Sequence, residues 1–279
     1  MSEEDAGWLA RARAAAALPP LRPRDPLHVE DGGGKLVGVG SIEGDVAERL
    51  VQARLPLRRS GSGWRVDAPA VPSLAAIAAW LRDAGLAGRW RDELLAVVDA
   101  DERAVASVER GVVRVLGLTT HAVHLVGFAA HGDAVWVQQR AFDKATDPGL
   151  WDTLMGGQIA ADETIESALA RETWEEAGLD IAALRELRAA GRITIRRPVA
   201  EGYMVEHLAV YTARLPEGAL PANRDGEVVR FECLDRAALE ARLARGEFTL
   251  EAGLILASEV LGRKLEHGHA DPHPASGRK

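Results

Sequence analysis

The chain has 279 residues, of which 47% are hydrophobic and 27% are charged, and its formal net charge is −8. This composition excludes a wholly disordered chain and provides enough apolar surface for one or two packed domains. The negative charge argues against sequence-independent binding of nucleic acid, which needs a basic surface. It does not exclude a phosphate substrate, because bound metal ions can reverse the local sign of the charge.

Cysteine content and the amino terminus indicate a cellular compartment. The single cysteine, Cys233, excludes an intrachain disulfide and fits a reducing cytoplasm, and its apolar surroundings predict a core position. No apolar run is long enough to span a bilayer. The first residues are acidic, and Arg11 and Arg13 interrupt the apolar part, which is not typical of a signal peptide. We therefore expect a cytoplasmic protein without a membrane partner.

Residues 1–110 are predicted to form a small α/β domain with no catalytic pattern of their own. The predicted elements are a short helix ending before Pro19-Pro20, a loop over 21–34, a strand over Leu36–Val39, a helix over Ile42–Leu55, a hairpin of Leu55–Arg59 and Trp64–Val66, a helix from Pro72 to Gly85, and a helix or turn over Trp90–Ala96.

The pattern changes after residue 110, where strands surround one long acidic helix. The predicted strands are Val112–Leu118, His121–Ala129, Ala134–Arg140, Gly191–Ile195, Val205–Leu215 and Val228–Leu234, and further helices follow over Arg236–Arg245 and Leu250–Leu261. Strands on both sides of a helix predict a mixed sheet between layers of helices. We assign residues 111–265 to this second domain and expect a mobile tail over 266–279.

The acidic helix carries the strongest chemical signal. Glu172, Glu175 and Glu176 stand at i, i+3 and i+4, so they share one helix face and repel one another unless a cation lies among them. Mg²⁺ suits such a set of oxygen ligands, with Mn²⁺ as an alternative. We expect Asp162 to cap the helix start and Gly178 to end it. The competing interpretation is a solvated acidic helix.

The stretch from Gly157 to Leu179 resembles the Nudix box. The residues that match its fixed positions are Gly157, Glu163, Arg171, Glu172, Glu175, Glu176 and Gly178. Thr173 departs from the pattern, because the family prefers an aliphatic residue there. The resemblance implies an α/β/α sandwich with a mixed sheet and hydrolysis of phosphoanhydride bonds.

Roles for the box residues follow as hypotheses. Glu172, Glu175 and Glu176 would bind the metal, and a carbonyl of the Gly156-Gly157 turn could complete the site. Glu163 and Arg171 would hold the loop and helix together, with Gly157 and Gly178 as structural glycines. The catalytic set comprises Arg171, Glu172, Glu175 and Glu227. Glu175, Glu227 or a residue on a mobile loop would accept the proton.

Segments outside the box resemble one Nudix subfamily. The run RAFDKATDPGLWDTLMGG from Arg140 is similar to the C-terminal Nudix part of fungal thiamine pyrophosphokinase. The further matching segments are Trp90–Glu93, Glu109-Arg110, His121-x-x-His124, Gly191–Ile193 and Asp225–Val228. This resemblance implies a distinctive N-terminal domain, and thiamine diphosphate or its oxidised derivatives as substrates that yield the monophosphate and phosphate.

Several residues and functions keep two interpretations. Arg140 and Lys144 either contact a diphosphate or form a surface pair, and Glu227 is either a fourth acid of the site or a solvated loop residue. His121 and His124 point to opposite sides of a strand, which favours structural roles.

Alternative functions are a Nudix pyrophosphatase acting on nucleotide sugars, dinucleotides or nucleoside triphosphates, and a non-catalytic diphosphate sensor. An isomerase is disfavoured by the intact box acids. The partner is a small-molecule diphosphate, and a homodimer is compatible with the sequence.

Overall fold

The computed structural model describes residues 3–263. The tail expected over 266–279 lies outside the described residues. The N-terminal elements are helices α1 (Glu3–Ala15), α2 (Gly44–Gln52) and α3 (Ala70–Asp83), and strands β1 (Arg24–Glu30), β2 (Leu36–Glu43), β3 (Leu57–Ser60), β4 (Gly63–Val66), β5 (Leu94–Val98) and β6 (Ala104–Glu109). No helix among residues 3–263 is long and apolar enough to cross a membrane.

The C-terminal elements surround a seven-stranded sheet. They are strands β7 (Thr119–Phe128), β8 (Val135–Arg140), β9 (Trp151–Asp152), β10 (Met155–Gln158), β11 (Arg185–Val199), β12 (Gly202–Arg214) and β13 (Val228–Leu234), and helices α4 (Ile165–Ala177), α5 (Arg236–Ala244) and α6 (Leu250–Glu259). The main order is β11-β12-β7-β8-β13, and β7 and β12 run parallel. The antiparallel pairing of the other strands makes the sheet mixed, as predicted.

Strand β7 divides its second edge between two partners. Its middle, Ala122 to Leu125, pairs with β10, and its last two residues pair with β8. Strand β9 in turn pairs with β8. Strands β7, β8 and β10 therefore meet where the sheet branches, and β10 passes under α4. This branch point positions the candidate site.

Helices cover both faces of the C-terminal sheet, which confirms the predicted sandwich. On one face, buried Leu169 and Ala168 of α4 pack with Val123 and Leu125 of β7. On the other face, α1, α5 and α6 pack together over a second apolar cluster. Burial of these apolar side chains is the main stabilising contribution, at about 25 cal/mol per Å². Although α1 begins the chain, Leu9 packs in the C-terminal core.

The N-terminal region has its own four-stranded sheet, in the order β2-β1-β4-β3, and its own core. Two predictions were wrong here. The expected loop over 21–34 contains β1, whose buried Leu27 and Val29 alternate with more exposed neighbours. The expected helix or turn over 90–96 gives way to strand β5 from Leu94, because a short apolar run does not distinguish helix from strand.

Two further predictions were wrong around the C-terminal sheet. Residues 112–118, expected to be a strand, complete a short 3-10 helix and then turn, because their apolar side chains are buried in the N-terminal core without pairing to a sheet. Cys233 is exposed, because its position in β13 directs the side chain to solvent.

Helix α4 has well-formed ends, with one difference from the sequence prediction. Thr164, and not Asp162, caps the start, and its hydroxyl accepts a hydrogen bond from the Ser167 N–H in a capping box. Gly178 ends the helix as predicted, in the left-handed conformation at φ 64°. Buried Thr173 fits the core because its hydroxyl donates to the Leu169 carbonyl at 2.6 Å.

The two regions meet at polar contacts as well as apolar ones. The Ala161 N–H donates to the Leu94 carbonyl at 2.8 Å. In the turn between β5 and β6, Glu102 pairs with Arg192 of β11 and with His207 Nδ1 of β12, the latter at 2.9 Å. Burial and the nearby Arg192 charge lower the pKa of His207 to about 4. The contact therefore contains a histidine that the fold keeps neutral.

The Gly178 cap provides a test of how α4 is held. Gly178→Ala should destabilise the chain by roughly 1–3 kcal/mol more than Gly132→Ala, since a Cβ at 178 would lie 2.5 Å from the Ala222 carbonyl oxygen. Gly132 also has a positive φ of 73°, but its Cβ would meet nothing within 4 Å, so it controls for backbone strain alone. Urea unfolding measures both, and equal losses would contradict this packing.

The contact at His207 predicts a pH dependence of stability. Below the ordinary pKa of 6.5 the unfolded chain binds a proton that the folded chain refuses until about pH 4, so the free energy of unfolding falls as pH drops through this window. Urea unfolding at about pH 7 and about pH 5 should show a smaller loss in His207→Asn than in the wild-type chain. Replacing exposed His131 with Asn is the control. Equal losses in wild type and His207→Asn would contradict the assignment.

Candidate functional site

The acidic face of α4 lies directly against β10. A Cβ placed on Gly157 would lie 2.0 Å from Cδ of Glu172 and collide with that carboxylate. Glycine at this position therefore leaves room for the Glu172 carboxylate beside β10. Glu172 is mostly buried, and burial raises the pKa of its carboxyl group, while the neighbouring Arg171 charge opposes the rise.

Glu176 is the most deeply buried carboxylate of the box. Its Oε2 accepts hydrogen bonds from Gln138 Nε2 at 2.7 Å and from the Gly156 N–H at 3.0 Å. Burial, and then the negative charge of Glu172, raise the pKa of Glu176 to about 8. Lys144 Nζ, 3.9 Å from Oε1, partly opposes this effect. Glu172 forms an ion pair with Arg171 at 2.8 Å and Glu176 one with Lys144, but neither cation offsets the effect of burial on the two neighbouring carboxylates.

Arg171 links the loop before α4 to the helix. Its guanidinium donates to both carboxylate oxygens of Glu163, at 2.6 and 2.8 Å, and to Glu175 at 3.0 Å. It also donates to the Gln158 carbonyl at 3.2 Å, at the end of β10. Arg171 lowers the pKa of Glu163, which stays ionised. Glu163 thus anchors Arg171, and Glu175 is turned toward that arginine.

Glu227 lies across the cavity from α4, on the loop before β13. Lys144 forms an ion pair with it and also lies near Glu176. Burial alone would raise the pKa of Glu227, but the Lys144 hydrogen bond and the charges of Lys144, Arg91 and Arg110 outweigh burial and lower it. Carboxylate oxygens of Glu176, Asp225 and Glu227 lie within 4.8 Å of one another.

These donors fit a hard divalent cation. The candidate ligands are all oxygens, which is the set that Mg²⁺ prefers. The elevated pKa of Glu176 indicates a buried carboxylate whose burial Lys144 does not offset, and a divalent cation would compensate it. Glu172, Glu176 and Glu227 all line the same cavity, whereas Glu175 is 43% exposed and does not. The geometry supports Glu172 and Glu176 as inner ligands more strongly than Glu175.

The cavity beside these acids has a volume of ≈ 210 Å³ and an unusual number of arginines. The lining cations are Arg91, Arg110, Arg114, Arg140, Lys144 and Arg197. Arg140 and Lys144, proposed from sequence, are thus brought together with the box acids. Arg140 donates to Asp152 at 3.2 Å and to the Thr146 carbonyl at 3.0 Å, and its buried Nε has no partner in the part of the chain that is described.

Sequence reasoning missed other lining residues. Arg91 and Arg110 line the cavity and lie in segments that were singled out for family resemblance, but no role was assigned to them. The same holds for Asp225, which lies beside Glu176 and Glu227 outside the lining. Glu206 and Glu251 gave no motif signal, because they lie within a strand and a helix that look ordinary. Burial raises the pKa of Glu251 to about 7. Glu206 is also fully enclosed, but Arg114 and other donors overcome burial and lower its pKa to about 2.

The two histidines of the resemblance do not share a site. His124 is buried, its Nδ1 lies 3.0 Å from the Thr153 hydroxyl, and its ring packs against Gly156. His121 lies on the other face of β7, 4.0 Å from Glu102. Only His124 lines the cavity, so these positions cannot jointly bind one metal ion.

Comparison with known proteins gives related sequences and folds. The NUDIX domain model matches residues 118–252. The chain is 28% identical over 171 residues to Nudix hydrolase 20, chloroplastic, of Arabidopsis thaliana. This alignment covers 60% of this chain and 46% of the plant protein. It is 30% identical over 172 residues to isopentenyl-diphosphate Delta-isomerase of Leifsonia xyli subsp. xyli, covering 60% of this chain and 89% of that protein. The crystal structure of DR0079 from Deinococcus radiodurans aligns at a TM-score of 0.48 and 25% identity, over 58% of this chain and 97% of that one.

These matches define the relationship and its extent. The chain spans about half the length of several curated relatives that it matches, including 46% of the Arabidopsis protein and 57% of a Saccharomyces cerevisiae protein. The relationship to thiamine pyrophosphokinase stays a prediction. The domain match and the coverage of the Leifsonia relative agree with the box geometry at Gly157, Glu172 and Glu176. Residues 118–252 are a Nudix domain, and the chain belongs to the Nudix family.

Proposed function

We propose that the chain is a Mg²⁺-dependent hydrolase that cleaves a phosphoanhydride bond in a small-molecule diphosphate. The observation that carries the proposal is the pair of carboxylates, Glu172 and Glu176, that line one cavity and whose pKa values burial raises despite their ion pairs with Arg171 and Lys144. Glu172 and Glu176 would hold the metal, with Mn²⁺ as an alternative ion. Bound Mg²⁺ would neutralise phosphate charge and lower the pKa of the attacking water.

Other residues of the chain would bind the substrate, position the acidic helix and accept the proton. Arg140 and Lys144 would bind the diphosphate, because both line the cavity and present cationic groups to it. Arg171 holds Glu175 and the loop before α4 in place. Glu227 is the better-placed proton acceptor, because it lines the cavity and its lowered pKa keeps it ionised, whereas Glu175 is paired with Arg171 outside the lining.

The substrate class is a further part of the proposal. Thiamine diphosphate and its oxidised derivatives are the first candidates, from the resemblance of the run at Arg140. Nucleotide sugars, dinucleotides and nucleoside triphosphates are the alternatives within the same chemistry. A diphosphate sensor without turnover is less well supported, since both inner carboxylates and Arg171 are intact.

The isomerase remains a second candidate function on one specific observation. The chain is 30% identical over 89% of the isopentenyl-diphosphate Delta-isomerase of Leifsonia xyli subsp. xyli. The name of that relative states that it is an isomerase of isopentenyl diphosphate. The complete set of box acids favours hydrolysis here. Isopentenyl diphosphate therefore belongs in the substrate panel, with isomer formation and phosphate release measured separately.

A substrate panel with Mg²⁺ tests the proposal. Hydrolysis should occur with one class among thiamine diphosphate, its oxidised analogues, ADP-ribose, NADH and nucleoside triphosphates, with monophosphate esters, pyrophosphate and phosphate separated and quantified by chromatography. Glu172→Gln and Glu176→Gln should each lower kcat by about 10²-fold or more, since each removes a charge that stabilises the metal-bound transition state. The assay compares initial rates at saturating Mg²⁺.

Glu166→Gln is the matched control for these variants. Glu166 lies on the same helix, is exposed, and does not line the cavity. Its replacement should leave kcat unchanged. Full activity in Glu176→Gln would contradict the assignment of the buried pair, and isomer formation without phosphate release would favour the second candidate function. Saturable binding of a diphosphate without either product would favour a sensor.

A further inference from the structure

The N-terminal region supplies part of the wall that faces the box acids. Arg91 lies between α3 and β5, and Arg110 follows β6, yet both line the cavity that contains Glu172 and Glu176. Both also act electrostatically on Glu227, which lines the same cavity. A second cleft, of ≈ 430 Å³, continues from the first between the two regions and is lined by Arg89, Arg91 and Arg110.

A buried carboxylate fixes the backbone of the segments that carry Arg91 and Arg110, which together form an arginine wall of the cavity. Glu109 is only 5% exposed, and its Oε1 accepts a hydrogen bond from the Arg91 N–H at 2.8 Å. Its Oε2 accepts from the Glu93 N–H at 3.1 Å, and the Gly111 N–H also points to Oε1 at 3.4 Å. Glu109 thereby holds the segment around Arg91 against the turn that carries Arg110.

The wall carries more positive charge than the N-terminal region neutralises. Arg110 pairs with Glu93 at 2.8 Å, but across residues 3–263 the Arg91 guanidinium forms no hydrogen bond or ion pair. Burial and the like charges of Arg110 and Arg89 lower the pKa of Arg91, which reflects crowded cations. On the adjoining wall, the buried Nε of Arg197 also lacks a partner within the described chain.

We propose that Arg91 and Arg110 are substrate-binding residues that contact phosphate oxygens of the diphosphate from the side opposite Glu172 and Glu176. Arginine suits this role because its planar guanidinium donates in parallel to phosphate oxygens. Glu109 is a positioning residue for the pair. The inference rests on the proposed function, which it deepens: the N-terminal region completes the substrate site of the Nudix domain.

Binding of inorganic pyrophosphate tests the wall apart from turnover. The full-length chain carrying Glu172→Gln and Glu176→Gln is titrated calorimetrically in EDTA, so that neither metal nor the two repelling carboxylates contribute. Pyrophosphate should bind, and adding Arg91→Gln or Arg110→Gln should weaken binding by about tenfold to a hundredfold. Adding Arg58→Gln should change nothing, because Arg58 is exposed, pairs with Asp67 and lies outside both cavities.

Steady-state kinetics of single variants give a second measurement. It does not require the chain with Glu172→Gln and Glu176→Gln to fold. Arg91→Gln and Arg110→Gln should raise KM for the hydrolysed diphosphate by about tenfold or more with a smaller effect on kcat. Arg91→Lys should recover only part of the loss, since lysine cannot donate in a planar fork. Glu109→Gln should raise KM without lowering kcat in proportion, whereas a merely destabilised chain would lose active protein and keep its KM.

The outcomes separate this inference from the proposed function. If nothing in the panel is hydrolysed while Arg91 and Arg110 still control pyrophosphate binding, the hydrolase proposal fails and the arginine wall stands. If hydrolysis occurs but both arginine variants keep wild-type KM and pyrophosphate affinity, the substrate-binding role of the arginine wall is wrong and the hydrolase proposal stands. Absence of pyrophosphate binding in the folded parent chain, together with unchanged KM in the arginine variants, would also overturn the inference.

Discussion

The site depends on the burial of two carboxylates on one turn of α4. Glu172 and Glu176 are i and i+4 on the helix, so each raises the cost of ionising the other. Removing a charge from water costs several kcal/mol unless a partner compensates. The fold supplies Gln138, the Gly156 N–H and Lys144 to Glu176, but these do not prevent its pKa from rising to about 8. A divalent cation would compensate this arrangement.

The surrounding structure brings other charges to the same cavity. The branch of the sheet at β7 places β10 beneath α4, and Gly157 allows the approach. The loop before β13 brings Glu227 across from the helix, and Lys144 joins it to Glu176. The N-terminal region adds arginines on the remaining side. Acidic and cationic walls facing one another suit a substrate whose phosphates bind metal on one side and guanidinium groups on the other.

The chemistry of the box could be predicted from sequence because its spacing alone specifies a shared helix face. Gly178 was also predictable, since a glycine after the last helical residue is a strong stop signal. The true cap, Thr164, was missed in favour of Asp162 because both are good capping residues two positions apart. The continuous apolar run at 112–118 was mistaken for a strand, because apolar side chains that are buried without strand pairing give the same sequence pattern as a buried strand.

The second wall could not be predicted, because it depends on tertiary contacts. Arg91 and Arg110 are 19 positions apart, and the Glu109 carboxylate brings their segments together through backbone N–H groups. Such side chain–backbone bonds leave no periodic signal. Glu206 and Glu251 likewise reach the cavity only through the register of β12 and the packing of α6. The acidic face of α4 was thus predictable from the sequence, whereas the cationic side of the cavity required the fold.

Metal binding itself is the most direct test of this account. Mn²⁺ titrated into the full-length chain, with free ion followed by electron paramagnetic resonance, should bind saturably to the wild-type chain and to Glu166→Gln. The chain carrying both Glu172→Gln and Glu176→Gln should lose that binding while retaining the wild-type fold by circular dichroism. Equal Mn²⁺ binding in wild type and the double variant would contradict the claim that this buried carboxylate pair holds the metal.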